Sequence, residues 1–199
     1  MSDSHRTPGR GRPRKMMDDE LRDIAMQAYW RTDPADVSVN AICQAAGVSK
    51  PSLYRAFGSE DGLTLAALDG YADKVLSDLF TILHNEGSLQ ASLDALIDFA
   101  CADPRMDTGC LFYKMRAGRH RLGPQTRARV DEIDAAGQAA YTAFLKTRRD
   151  AGEGSDRLSV KVGAKYLSEQ IALAFTQRAS GEDPARIRAM LTAALSVLT

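Results

Sequence analysis

The sequence has few features of a membrane or secreted protein. No apolar run approaches the roughly 18 residues that a membrane-spanning helix requires, and no apolar core of a secretory signal follows the basic amino terminus. The three cysteines, Cys43, Cys101 and Cys110, are odd in number and include no Cys-x-x-Cys pair. We therefore expect reduced thiols, a cytoplasmic location and no membrane partner.

The sequence has only three histidines, and its formal net charge is zero. His5, His84 and His120 form no metal-ligand spacing with one another or with the cysteines, so we expect neither a metal site nor a cofactor. The 26 cationic and 26 anionic side chains cancel, and overall charge therefore indicates neither nucleic acid nor membrane. The distribution is uneven, however, because residues 1–17 carry four arginines and one lysine against one aspartate. Such a basic arm can bind phosphates.

The composition of the 199-residue chain, with 44% hydrophobic and 26% charged residues, is that of an ordinary soluble globular protein, and the spacing of its apolar residues predicts an all-α fold. Apolar residues recur at helical spacing, as in Ile24, Ala25, Ala28 and Tyr29, and no stretch alternates with a period of two. Helices are predicted at residues 21–30, 38–46, 50–57, 59–84, 88–101, 125–149, 156–180 and 184–198, with a short apolar segment at 110–115. No sheet is expected.

Residues 38–63 contain the most informative pattern. Two short helical segments are separated by Gly47-Val48-Ser49, and a turn that brief requires a steep crossing and a residue that accepts positive φ, which Gly47 supplies. Ser49 can cap the second helix. That helix then presents side chains able to reach bases and phosphates in a major groove, namely Lys50, Ser52, Tyr54 and Arg55.

In these residues the sequence resembles the TetR family of transcriptional regulators. The matching positions are Ile42, Ala46-Gly47-Val48-Ser49, Leu53-Tyr54, Phe57, Ser59 and Leu63. The likeness extends to the apolar helix at 21–30 and the Gly11-Arg12-Pro13-Arg14 arm, and more loosely to Gly109-Cys110-Leu111 and the Asp-Pro-x-x-Ile pattern that begins at Asp183. The resemblance implies an amino-terminal three-helix helix-turn-helix domain that binds DNA, a divergent helical ligand-binding domain, and dimerisation through the last two helices.

From this resemblance we predict a basic flexible arm at 1–16, a DNA-binding domain at 17–62, and an effector-binding and dimerisation domain at 63–199. The predicted DNA contacts are Arg12, Arg14, Ser38, Ser49, Lys50, Ser52, Tyr54 and Arg55. The predicted effector contacts are Phe80, Leu83, Phe99, Cys110, Phe112, Met115, Tyr141 and Phe144. The predicted dimerisation residues are Tyr166, Ile171, Leu173, Ile187, Met190, Leu191 and Leu195.

The sequence departs from the family pattern in three respects. Glu60 stands where the family usually has lysine, and a carboxylate there repels DNA phosphates. Asp33-Pro34 replaces a frequent Gly-Tyr, and Val37 replaces a threonine whose hydroxyl can contact the DNA backbone. These departures affect the contacts with DNA more than the fold.

Several residues have a structural and a functional interpretation. Tyr54 is a core aromatic or a phosphate contact, Lys50 and Arg55 are solvated charges or DNA contacts, and the arm is a solubilising tail or a reader of narrow minor grooves. Cys43 and Cys110 fit packing better than redox sensing. The basic run between Lys114 and Arg129 is a solvated face or a site for an anionic effector.

The resemblance implies a ligand-responsive regulator, typically a repressor, that binds palindromic operator DNA as a homodimer, with recognition helices about 34–36 Å apart. The effector is a small molecule of unknown identity. Two alternatives remain open, namely a helical adaptor that has lost DNA affinity, which Glu60 favours, and a helical enzyme. The sequence shows no nucleophile–base pair, metal cluster or phosphate-binding loop, so we expect no enzymatic activity.

Overall fold

The structure is a computed structural model that describes residues 14–199, with the side chains of residues 17–199. Helix α1 begins at Arg14, so the last three positions of the predicted arm belong to a helix. The remainder of the arm, including Arg12, lies outside the described residues, as does the side chain of Arg14.

The described residues form helices and turns without strands, which confirms the predicted all-α class. The first helices are α1 (Arg14–Arg31), α2 (Val39–Ala46) and α3 (Lys50–Phe57). A 3₁₀ turn (Pro34–Asp36) follows α1. Asp33 caps this turn, because its carboxylate accepts the backbone N–H of Ala35 at 2.9 Å. The predicted bounds of α2 and α3 are accurate to within one residue.

A long helical rod joins the amino-terminal helices to the rest of the chain. It consists of α4 (Glu60–Tyr71), a π-helical segment (Ala72–Leu76) and α5 (Ser77–Leu83). The sequence predicted one uninterrupted helix here, with apolar residues every fourth position from Leu63 to Leu83, and all six of these residues are buried. Residues four positions apart are separated by more than one 3.6-residue turn of an α-helix, so a stripe of them gradually rotates around the helix axis. The wider turn of the π-helical segment compensates for part of this rotation.

The remaining helices are α6 (Leu89–Cys101), α7 (Leu111–Ala117), α8 (Pro124–Asp150), α9 (Val160–Ala179) and α10 (Pro184–Leu195). Helix α9 begins four residues after its predicted start, because the Ser159 hydroxyl accepts the N–H of Val162 at 3.3 Å and caps the helix there. The residues before it are held in a loop, in which the N–H of Ser155 donates to the carbonyl of Leu198 at 2.9 Å.

Two hydrogen bonds between residues far apart in sequence join the end of α1 to the beginning of α7. The Trp30 indole donates to the carbonyl of Gly109 at 2.7 Å, and the Lys114 ammonium donates to the carbonyl of Trp30 at 2.6 Å. The Trp30 ring also packs edge-on against Tyr71, with centroids 4.7 Å apart. One core therefore continues from the amino-terminal helices into α4 and α7.

The three cysteines, Cys43, Cys101 and Cys110, are free and buried. Within residues 14–199, no helix is both long and apolar enough to cross a membrane.

Candidate nucleic-acid interface

Helices α2 and α3 form a compact pair whose turn is specified by local hydrogen bonds. The Ser38 hydroxyl accepts the N–H of Ala41 at 3.2 Å and caps α2. Gly47 ends α2 with φ of 65°, a left-handed conformation that glycine adopts without steric cost. Ile42 and Cys43 are buried beneath the turn. The predicted helix-turn-helix is therefore present, with the turn glycine at the predicted position.

Helix α3 is anchored on one side and open on the other. The Ser49 hydroxyl accepts the N–H of Ser52 at 3.4 Å and caps the helix, while Leu53 is fully buried in the core. The opposite side carries Lys50, Tyr54 and Arg55, all of which are exposed. A rigid, capped helix with a polar outer face has the shape needed to enter a major groove.

The cations on this outer face are unpaired. Neither Lys50 nor Arg55 makes an ion pair with any residue in the described part of the chain. Their charge is therefore available to a phosphate or a base edge. Of the other predicted contacts, Ser38 and Ser49 are exposed and Ser52 is half-buried.

Tyr54 has a neighbour that the sequence analysis did not connect with it. Its hydroxyl donates to the Glu60 carboxylate at 3.0 Å, across the turn between α3 and α4. This hydrogen bond raises the pKa of Tyr54 above its ordinary value, since the carboxylate stabilises the protonated phenol. A phosphate contact by Tyr54 must therefore compete with Glu60 for the single hydroxyl proton.

Asp61, the residue after Glu60, faces away from Tyr54 and binds the amino terminus of α8. Its carboxylate accepts the N–H groups of Gln125 at 2.8 Å and Thr126 at 3.1 Å, and the Thr126 hydroxyl at 2.6 Å. Burial alone raises the pKa of Asp61, but these hydrogen bonds outweigh it and lower that pKa below its usual value. Gly123 leaves the space for this contact, because a Cβ there would lie 2.3 Å from the Asp61 Cγ.

The predicted effector contacts lie in several places. Phe80, Phe112 and Tyr141 line one cavity between α5, α7 and α8. Cys110 borders a different pocket near Lys114, and its thiol accepts a hydrogen bond from Tyr71 at 3.1 Å. Burial raises the pKa of the Cys110 thiol, which suits packing rather than reactivity. The remaining predicted contacts are buried side chains outside that cavity, namely Leu83, Phe99, Met115 and Phe144.

The sequence analysis missed polar residues of that cavity. Arg116, Gln138 and Ser168 line it beside the predicted aromatics. Gln138 precedes Tyr141 by three positions on α8, and this spacing is a signal that could have indicated a shared face. No sequence spacing indicates that Arg116 on α7 and Ser168 on α9 line the same cavity.

The seven predicted dimerisation residues differ in their exposure and fall into three groups. Four are buried within the chain itself, namely Ile171, Ile187, Leu191 and Leu195. Leu173 and Met190 are exposed, and Val162 on α9 is a further exposed apolar residue that the sequence analysis did not select. The half-buried Tyr166 donates its hydroxyl to the carbonyl of Ala194 at 3.0 Å and joins α9 to the end of α10. The buried group consolidates α9 and α10, and an interface must be sought among the exposed group.

The basic run between Lys114 and Arg129 is extensively paired. Arg116 contacts Asp134 and Glu169, Arg119 contacts Asp131, Arg121 contacts Asp36, and Arg129 contacts Asp69 and Glu132. Asp131, Glu132 and Asp134 follow the run directly in sequence, and helix packing adds Asp36, Asp69 and Glu169. The structural interpretation is therefore favoured over an anionic effector site.

Comparisons with known proteins agree with this architecture. Residues 21–67 match the family described as bacterial regulatory proteins, tetR family. The HTH-type transcriptional repressor BdcR of Escherichia coli (strain K12) is 28% identical over 117 residues. That alignment spans 59% of this chain and 59% of the relative, which is less than two thirds of the relative's length.

Solved structures extend the likeness to the whole chain. A transcriptional regulator of the TetR family from Agrobacterium tumefaciens has a TM-score of 0.83 at 17% identity, covering 94% of this chain and 99% of its own. A cysteine mutant of the TetR family regulator CifR, complexed with 26-base-pair double-strand operator DNA, has a TM-score of 0.74 at 19% identity, covering 99% and 100%. The predicted arrangement of a helix-turn-helix domain followed by a helical domain is confirmed.

Proposed function

We propose that this chain, which has a TetR-family amino-terminal domain and the TetR-type fold, is a ligand-responsive transcriptional regulator. It acts as a repressor and binds palindromic operator DNA as a homodimer. The observation that carries the proposal is the outer face of α3, where Lys50 and Arg55 are exposed on a capped helix and form no ion pair within residues 17–199. The similarity to a regulator solved with operator DNA supports the same function.

The proposed division of labour follows the fold. Residues 1–16 supply a basic arm, residues 17–62 bind DNA, and residues 63–199 bind the effector and the second subunit. The exposed apolar residues Val162, Leu173 and Met190 lie on α9 and α10, and the two helices of each subunit would form a four-helix interface with twofold symmetry. That symmetry sets two α3 helices about 34–36 Å apart, one in each of two successive major grooves.

Regulation can reach the DNA-binding helices through α7. This helix carries cavity residues such as Phe112, and Gly109 and Lys114 are hydrogen-bonded to Trp30 at the end of α1. An effector that favours a different position of α7 would change the orientation of α1 and hence of α3. It can lower DNA affinity only to the extent that it binds the two states with different affinity.

The protein is proposed to act by binding rather than catalysis, and in the cytoplasm. The relatives named above are regulators, and three free, buried cysteines are compatible with a reducing compartment.

A second candidate function is that of a helical adaptor with little DNA affinity. The observation that favours it is the Tyr54–Glu60 hydrogen bond, because it occupies one predicted DNA contact and places a carboxylate beside the interface. The two candidates differ in whether the purified protein enriches a DNA sequence.

The deciding experiment is selection of bound sites from a random duplex pool at low ionic strength, followed by footprinting. A regulator enriches an imperfect palindrome and protects two half-sites about one helical turn apart. Removal of residues 1–13 reduces the salt dependence of binding if the arm contacts phosphates. A stable dimer that enriches no site would reject the regulator and favour the adaptor.

A further inference from the structure

A cavity in the carboxy-terminal part of the chain is built for a ligand of a particular chemistry. It lies between the π-helical segment, α7, α8 and α9, and apolar side chains including Leu76, Phe80, Phe112 and Ile133 form its walls. The space that a water-sized sphere can occupy in it is about 30 Å³, and the wider empty space of about 380 Å³ includes open solvent at its mouth. A ligand larger than water therefore fits only if side chains of the wall, such as the half-buried Phe80, are displaced.

The strongest polar feature of the cavity is an unused donor. Tyr141 is 2% exposed, and among the described residues its hydroxyl makes no hydrogen bond of ordinary geometry, although the Tyr113 hydroxyl lies close enough to influence it. The neighbouring Tyr113 hydroxyl is directed to the carbonyl of Ser168 at 3.5 Å. Burial raises the pKa of Tyr141, which therefore remains a neutral donor at physiological pH. A buried donor without a partner is unfavourable, and a ligand oxygen would satisfy it.

A glycine one turn earlier leaves space on the same face of the helix. Gly137 lines the cavity near the middle of the 27-residue helix α8, and a Cβ built there would meet no atom within 4 Å. Its φ is not positive, so the backbone does not require glycine. Glycine is among the least favourable residues inside a helix. The absence of a side chain at this position therefore keeps cavity volume open beside Tyr141.

The charges at the cavity do not favour an ion. Arg116 is the cation in its wall, and its guanidinium already donates to Asp134 at 2.9 Å and Glu169 at 3.0 Å. An anionic ligand would approach these two carboxylates together with the one guanidinium. A cationic ligand would have to displace Arg116 from its partners. The balance disfavours a ligand of either sign.

We infer that the cavity binds an uncharged, largely apolar small molecule with one acceptor oxygen, of the aryl ketone type, whose oxygen accepts a hydrogen bond from the Tyr141 hydroxyl. The inference deepens the proposed function, since it takes this cavity to be the effector site. Gly137 provides room for the apolar part of the ligand, and Tyr141 selects the oxygen.

The test uses three probes of similar size on the full-length protein, with binding followed by ligand-observed NMR. Acetophenone has the acceptor oxygen, ethylbenzene lacks it, and benzoate adds a charge. We expect acetophenone to bind more tightly than ethylbenzene by about 3- to 10-fold, as for one hydrogen bond, and benzoate to bind least. Equal or tighter binding of benzoate, or no binding of acetophenone at millimolar concentration, would overturn the inference.

Two variants locate the site. Tyr141→Phe should weaken acetophenone binding by about 3- to 10-fold without affecting ethylbenzene, and its melting temperature should not fall, because the unpartnered hydroxyl is removed. Gly137→Leu should abolish binding of both probes and raise the melting temperature by a few degrees, through better helix propensity and cavity filling. Ala136→Leu on the exposed side of α8 is the matched control and should leave both probes bound.

The same variants separate this inference from the proposed function. Without a probe, Tyr141→Phe and Gly137→Leu should bind DNA like the unmodified protein, since neither residue lies near α3. If the unmodified protein binds acetophenone as expected but no DNA, the proposed regulator fails and the ligand assignment stands. If DNA binds and Tyr141→Phe leaves acetophenone binding unchanged, the ligand assignment fails alone.

Discussion

Helix α3 and residues 116–129 both carry accessible cations, but they use them differently. Lys50 and Arg55 have no acidic partner among the described residues. Arg116, Arg119, Arg121 and Arg129 each contact at least one carboxylate. The first set is available to an external anion, whereas the second connects helices of the same chain. A count of positive residues would not distinguish these two sets of cations, whereas the presence of carboxylate partners among the described residues does.

Two adjacent acids at the start of α4 show a similar contrast. Glu60 is exposed and accepts the Tyr54 hydroxyl at the edge of the DNA-binding face. Asp61 accepts three hydrogen bonds from α8 and so binds the two parts of the chain together. One carboxylate affects recognition and the other affects stability, although they are neighbours in the sequence.

The largest effect is expected from removal of the unpaired cations. Lys50→Ala combined with Arg55→Ala should lower the affinity for the selected operator by about 2–4 kcal/mol, or roughly 30- to 1000-fold. The slope of log affinity against log salt should fall by about 2 because fewer counterions are released. An electrophoretic shift titration at several salt concentrations measures both quantities. Arg119→Ala, which removes a paired cation, is the control, and an equal loss there would contradict the contrast.

A buried cation of the carboxy-terminal part, Arg178, should have the largest effect on stability. Arg178 is 8% exposed and donates to the carbonyls of Ala100 and Cys101 at the end of α6 and to the Asp107 carboxylate. Arg178→Ala should lower the free energy of unfolding by about 2–3 kcal/mol, since buried carbonyls lose their donor. Urea denaturation provides the measurement. Asp107→Asn, at an exposed carboxylate, should cost less than about 1 kcal/mol.

Asp61→Ala should lower the free energy of unfolding by about 1–2 kcal/mol at neutral pH, because it removes the acceptor of the first N–H groups of α8. The pKa of Asp61 is lowered in the folded protein. Its stabilisation is therefore complete above the unfolded pKa of about 3.9 and declines as the pH falls through the lower folded value. The difference in unfolding free energy between the two proteins should begin to narrow below about pH 4 and should close only as the pH falls through the lower folded pKa. Glu60→Ala is the adjacent control and should not reproduce this convergence.

The smallest effect is expected at Glu60. Glu60→Gln removes a negative charge beside the phosphates and should raise operator affinity by about twofold to fivefold, corresponding to about 0.5–1 kcal/mol. The pKa of Tyr54 should also fall toward its ordinary value, because an amide stabilises the protonated phenol less than a carboxylate. Operator titration and alkaline absorbance titration test the two effects separately. A loss of affinity would mean that the Tyr54–Glu60 contact helps to place Tyr54 for binding.

The helix-turn-helix was accessible to sequence analysis because its signals are local. Ser38 and Ser49 cap the helices that directly follow them, and Gly47 forms the turn at its own position. Each interaction spans at most a few residues, so residue type and spacing were sufficient. The bounds of α2 and α3 were correct for that reason.

The cavity and the charge pairs were less accessible because they depend on helices distant in sequence. Arg116 precedes Glu169 by 53 positions, and Asp61 precedes Gln125 by 64. Of eight predicted effector contacts, only Phe80, Phe112 and Tyr141 line the cavity. Helical periodicity indicates which residues are apolar and face a core, but it does not indicate which of them border empty space.

Sequence alone determined the all-α class, the helix-turn-helix and the family resemblance, since these follow from periodicity, caps and one turn glycine. Tertiary structure decided which charges are neutralised, that Tyr54 is bonded to Glu60, and that the hydroxyl of Tyr141 makes no ordinary hydrogen bond with the residues that the structure describes. The reason is that hydrogen bonding and ion pairing depend on atoms within about 3–4 Å, and packing rather than chain order brings those atoms together.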